Sequence, residues 1–183
     1  MYKTGIILVV LLIITALVII VYNKMVKNRN LVQEAWSGID VFLKKRHDLA
    51  PNLVEVVKGY AAYEKTVLED ITRCRSAAMQ AKDTEAQVVS ENSLGKALDK
   101  LLAVVENYPD LKANANFLKL QQQLTDLEND LEAARRYYNG TVRINNTYME
   151  SFPLNLIAGM FNFRKGVFFA ADPSAKEVPK ISG

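Results

Sequence analysis

Apolar side chains run without a charged residue from Gly5 to Tyr22, "GIILVVLLIITALVIIVY", and Thr15 is the only clearly polar one among them. Eighteen helical residues span about 27 Å, close to the hydrocarbon thickness of a bilayer. Bulky Leu17, Val18, Ile19, Ile20 and Val21 follow Ala16, which does not suit signal cleavage. The pattern predicts an uncleaved transmembrane anchor over 5–22, with Tyr22 at the interface. Lys24, Lys27 and Arg29 follow the anchor, whereas Lys3 and the amino terminus precede it. The positive-inside rule then places tail 1–4 outside and the C-terminal part in the cytoplasm.

Beyond the anchor the apolar spacing changes to threes and fours. Val32, Trp36, Ile39, Leu43, Ala50, Leu53, Val57, Tyr60, Val67, Ile71 and Cys74 share one seam, interrupted by Arg46 and Glu64. This near-heptad pattern predicts one long helix, with coiled-coil character, to about Lys82. Pro51 removes a backbone donor and crowds the carbonyl of residue 47, so a kink is expected there. A second helix is expected over 83–107, capped by Asp83 or Thr84, with Gly95 as a weak point. "ENYPDLKAN" reads as a tight turn with Pro109 opening the next helix. A third helix carries Phe117, Leu120, Leu124, Leu127, Leu131, Tyr138, Val142, Asn145 and Phe152 on one side and ends at Pro153. "LNLIAGMF" follows as a short apolar piece.

The expected fold is all-α: a transmembrane helix, then an antiparallel bundle of three long helices with the short apolar piece after them, over 23–160. The three long helices would measure about 75, 37 and 60 Å. Lengths so unequal leave seam residues to pack in other subunits, or require the first helix to bend. Trp36, Ile39, Asp40, Leu43, Arg46, Pro51, Asn52, Gly59, Tyr60 and Glu64 are therefore the candidate helix-interface and oligomer residues. Gly59 offers a small surface where another helix could approach, and Arg46 and Glu64 could set register within the seam. In the tail, 161–183, Phe161, Phe163, Phe168 and Phe169 could bind a partner, dip into the membrane surface or fold back over the bundle. Folding back is the reading favoured, and the final dozen residues are expected to be extended or disordered.

A net charge of +3 with interspersed signs argues against nucleic-acid binding. One cysteine, Cys74, excludes an intrachain disulfide. One histidine, His47, cannot supply the paired Glu-x-x-His motifs of a di-metal bundle or a His-Glu-x-x-His zinc helix. On a straight helix His47 and Cys74 would lie about 40 Å apart, too far to act together. His47 is expected to be a partly exposed helix residue, and no cofactor, metal or enzymatic activity is expected. Asn139-Gly140-Thr141 and Asn145-Asn146-Thr147 resemble glycosylation triplets but are read as ordinary helix residues.

"YNKMVKNRN", "AWSGIDVFLKKRHDLAPNLVEVVKGYAAYE", "VENYPDLKANANFLKLQQQL" and "ARRYYNGTVRINN…FPLNLIAGMFNF" together closely resemble the LemA family. The resemblance covers nearly the whole chain. It implies a bacterial membrane protein with a short external tail and a cytoplasmic bundle of four helices, three of them long. It carries over no catalytic residue; Trp36, Asp40, Asp48, Pro51, Asn52, Gly59, Tyr60, Glu64, Pro109, Phe117, Arg135 and Tyr138 match family motifs of turn and packing types. Ala50 stands where the family more often has a bulkier aliphatic residue. Association of some members with HtpX-like membrane zinc metalloproteases implies a scaffold or adaptor in membrane-protein quality control. The alternative is a sensory module binding a small ligand among Arg46, Asn52, Glu64 and Asn145.

Overall fold

Six helices account for the regular structure of the computed structural model, which describes residues 2–61 and 64–169. Helix α1 (Tyr2–Lys58) contains the apolar span and continues through Pro51 without ending. It is followed by α2 (Lys65–Gln80), α3 (Thr84–Val105), the single turn α4 (Pro109–Lys112), α5 (Ala115–Glu150) and α6 (Leu154–Met160). The fold is all-α, as the periodicity predicts. No strand occurs among the described residues.

The helix expected to run unbroken to Lys82 is two helices. Its break falls at Gly59, a poor helix former, and not at Pro51. The amides of Tyr60 and Ala61 close the end of α1 on the Val57 carbonyl. Among the described residues, a Cβ at Gly59 would meet the Val56 carbonyl of its own helix at 3.5 Å. From this break α2 folds back along α1, so that Arg75 lies beside His47. The separation of about 40 Å expected for a straight helix does not exist.

The other boundaries follow side-chain chemistry. Asp83 caps α3 by accepting the Ala86 amide at 2.8 Å. Pro109 occupies the first turn of α4, which is a helix by itself and not the start of the third long one. Asn114 Oδ1 accepts the amides of Asn116 and Phe117 and so opens α5. Helix α6 ends in a Schellman turn: Phe163 N–H donates to Ala158 and Asn162 N–H to Gly159, with Asn162 at φ 53°. Asparagine tolerates that left-handed conformation better than other non-glycine residues.

The chain divides into two units, each with its own core. The first holds residues 1–37 and 136–168. Here Met25, Met149 and Ala158 are buried with Val21, Leu154, Ile157 and Phe163 packed on them. Trp36 meets Tyr138 edge-on at 5.2 Å, so α1 and α5 run antiparallel within this unit. The extended residues after α6 lie along α5: Asn146 pairs with both the N–H and the C=O of Gly166, and the Tyr138 hydroxyl donates to Val167. Asn146 is thus a helix residue of α5 that also clamps the tail.

The second unit holds residues 38–135 and Phe169 of the described tail. Its core gathers Leu53, Val57 and Ala61 from α1 and the segment after it, Ile71 from α2, Leu94, Leu98 and Leu101 from α3, Leu111 from α4, and Phe117 and Leu124 from α5. Phe169 is buried, with the Arg135 guanidinium over its ring at 4.4 Å. The expectation for the last dozen residues lies outside the described residues.

Candidate functional site: a buried ionic hub

Arg46 and His47 are consecutive on α1, one turn before Pro51. Arg46 sits on the apolar seam and is 1% exposed, so its charge must be met inside the protein. Its Nη2 donates to the Glu91 carboxylate and, at 3.1 Å, to the Glu91 backbone carbonyl. Its Nη1 donates to Glu128 at 3.0 Å. The other carboxylate oxygen of Glu91 takes His47 Nε2 at 2.7 Å. One glutamate of α3, itself wholly buried, therefore binds two successive α1 side chains, and α5 closes the group through Glu128.

Burial pushes the Glu91 carboxyl up, but the hydrogen bond from His47 and the charge and hydrogen bonds of Arg46 outweigh it and hold the group below the usual carboxylate range. An ionised carboxylate can only accept, so Nε2 of His47 carries the proton in this contact. Asp99, also beside the hub, is raised by burial and by the charge of Glu128. Burial and the charge of Arg46 lower Arg135, against the pull of Glu128, Glu91 and Glu132.

Pro51 explains the last member. It has no N–H, so the carbonyl of residue 47 loses its normal acceptor role within the helix. Arg75 on α2 supplies the missing donor, its Nε reaching the His47 carbonyl at 2.6 Å. The hub thereby joins α1, α2, α3 and α5 of the second unit. A cavity of about 260 Å³ adjoins it, lined by Arg46, Glu91, Asp99, Glu128 and Arg135 among others. Gly95 borders it, a Cβ there falling 3.6 Å from Arg46 Nη1.

The sequence-predicted site residues are spread over several environments. Arg46 is at the hub, whereas Ile39 and Leu43 are buried between the chain's own helices. Asp40 accepts from Gln87 at 3.4 Å. Pro51 and Asn52 are exposed. The Tyr60 hydroxyl accepts from Asn114 at 2.9 Å, and Glu64 accepts from the Tyr108 hydroxyl at 3.2 Å. Neither Asn52 nor Glu64 lines the cavity beside Arg46 among the described residues, and Asn145, a residue of the first unit, reaches Asn146. Phe169 is buried and Phe163 half-buried, while Phe161 and Phe168 remain exposed. His47 is half-buried, in keeping with a partly exposed helix residue, and it has a chemical partner in Glu91. Glu91, Glu128 and Arg75 gave no signal beyond being charged residues at helical spacing.

Residues 35–182 match the LemA family. The chain belongs to the LemA family. Relatives include Magnetosome protein MamQ 2 of Paramagnetospirillum magneticum, 23% identical over 88% of this chain and 68% of its own length. Magnetosome protein MamQ of Magnetospirillum gryphiswaldense is 22% identical with the same coverage. Protein LemA of Metamycoplasma hominis is 25% identical over 81% of this chain and 68% of its own. This LemA-family chain is membrane-associated: among the described residues one helix, α1, is long and apolar enough to cross a bilayer, and none of its apolar window is buried.

Proposed function

We propose that the chain is a non-enzymatic, membrane-anchored scaffold that homo-oligomerises and engages another membrane protein. The observation that supports it most is the continuity of α1, whose apolar span, with no buried residue in its most apolar window, passes into buried helical turns without a break. An exposed span of that length is stable only in lipid. The positive residues after it favour a cytoplasmic helical domain and an external amino terminus at the inner membrane.

Ile39 and Leu43 are covered by the chain's own helices, so association falls to apolar positions left at the surface. Val41, Val89 and Leu118 in the second unit, and Tyr137 and Ile144 in the first, are such positions. An HtpX-like zinc metalloprotease is the partner that the family resemblance implies. The test is the molar mass, by light scattering, of full-length protein extracted from native membranes in mild detergent. A multiple of the 20.5 kDa chain, or a co-eluting membrane protein in fixed ratio, supports the scaffold; a lone monomer contradicts it.

One observation favours a second reading, a sensory module. Nε of Arg46 and Nε of Arg135 are buried without a hydrogen-bond partner among the described residues, beside the charged cavity. A small anion such as inorganic phosphate or a dicarboxylate would satisfy them. Thermal unfolding with and without these anions tests it: a saturable rise in midpoint supports the module, and no shift removes it.

A further inference from the structure

The segment beside the end of the span shows an arrangement that scaffold assembly does not require. Met25 is buried with Met149 and Ala158, and Val21, in the last turn of the apolar stretch, packs on this cluster together with Leu154, Ile157 and Phe163. The Tyr22 ring lies 4.8 Å from Phe161 and 5.7 Å from Phe163. Val21 and Met25 are about 6 Å apart along the helix axis. Helix α6 is therefore held within about one turn of the point where the span leaves the hydrocarbon, at the depth Tyr22 marks.

Its two faces are both apolar. Leu154, Ile157 and Ala158 face inward. Leu156 is 60% exposed, Met160 74%, and Phe152, one turn earlier, 79%. Leu156 and Met160 lie four apart on α6 and so share one side, and Phe152 stands exposed in the turn that leads into the helix. The Schellman turn at Asn162 sends Phe163 into the packed side and leaves Phe161 47% exposed. A helix facing water would present polar groups there. Arg29 lies over the Phe163 ring beside this turn at 5.6 Å, and in the same unit Lys24 lies over the Tyr148 ring at 5.0 Å and Lys165 pairs with Glu150 at 2.8 Å.

We propose that α6 and the aromatic turn after it form an interfacial membrane contact, in which Phe152, Leu156, Met160 and Phe161 enter the boundary between headgroups and acyl chains. The occupant is lipid because the patch adjoins the span at headgroup depth, where apolar side chains meet lipid first and cations meet anionic headgroups. The contact rests on the reading of residues 5–22 as a transmembrane anchor. It turns α6 into a brace that restrains the emerging helix α1 against the bilayer surface.

The test uses full-length protein in a Trp36→Phe background, reconstituted into phosphatidylcholine–phosphatidylglycerol vesicles. Met160→Trp and, separately, Leu156→Trp report on α6, and Ile14→Trp reports on the span. Helix content by circular dichroism verifies folding of each variant. The account expects both α6 reporters to lose most of their emission to lipids brominated near the headgroup and to resist aqueous acrylamide. Ile14→Trp should be quenched by deeply brominated lipid. Quenching of both α6 reporters by acrylamide, or shielding from lipid and acrylamide alike, overturns the contact while a quenched Ile14→Trp leaves the anchor standing. An Ile14→Trp that escapes lipid overturns both.

Discussion

Arg46 and Glu91, 45 positions apart in the chain, form an ion pair in which neither side chain has more than 1% of its surface exposed. His47, next in sequence to Arg46, takes the remaining oxygen of the same carboxylate. A polar group of this kind on an apolar seam fixes which turn of α1 faces which turn of α3, because any slip leaves a charge buried and unpaired.

Removing one partner should therefore cost far more than removing both. Arg46→Met alone is expected to destabilise by about 3–5 kcal/mol, since Glu91 stays buried without its main counter-charge. Arg46→Met combined with Glu91→Leu should recover most of that loss. Urea unfolding in detergent micelles measures both; a double variant no more stable than the single one would contradict the pairing.

Arg75 and Pro51 form a second coupled pair. Arg75→Ala leaves the His47 carbonyl without a donor and should cost about 1–3 kcal/mol. Pro51→Ala restores a backbone N–H to that carbonyl, so Arg75→Ala should cost clearly less in the Pro51→Ala background. Unfolding midpoints of the four proteins in the cycle decide it; equal costs in both backgrounds would mean the two residues act independently.

The pH dependence has two limbs of opposite sign. Glu91 titrates below its ordinary 4.5 in the folded chain, so its contribution is full above 4.5 and is lost as pH falls through the depressed value. Asp99 titrates above its ordinary 3.8, so the folded state holds that proton more tightly, and its contribution is full below 3.8 and lost as pH rises through the raised value. Glu91→Gln should flatten the acid loss. Asp99→Asn should raise stability at neutral pH and bring no gain below 3.8. Urea midpoints across the acid range test both signs.

How far the chain could be read depends on how local each signal is. The apolar span, the Asp83 cap and Pro109 at a first turn each rest on a few neighbouring residues, and the structure has them where the pattern predicts, whereas the short helix α6 was implied by the family resemblance. The break at Gly59 was hidden because apolar spacing continues across it to Ile71 and Cys74. Once that break is missed, the rest of the hub is unreadable. His47 meets Glu91 across 44 positions and Arg75 across 28, and both contacts depend on where α1 stops and α2 turns back. Pro51 announced an orphaned carbonyl, but nothing local says which side chain supplies the donor.

The clamp on the tail can be tested by proteolysis. Asn146→Ala removes both contacts to Gly166 and should free the segment that carries Arg164 and Lys165. Trypsin is expected to cut there several times faster in the variant while cleavage elsewhere is unchanged. Unaltered cleavage would show that the Tyr138 contact to Val167 holds the segment unaided.

The scaffold itself is tested most directly by crosslinking in native membranes. A photoreactive residue replaces Val89 or Ile144, both exposed and apolar, in full-length protein at its natural expression level. The account predicts discrete products: a crosslinked homo-oligomer and one membrane protein recovered reproducibly from the same position. Monomer alone after irradiation at both positions, from well-expressed and membrane-inserted protein, would contradict it.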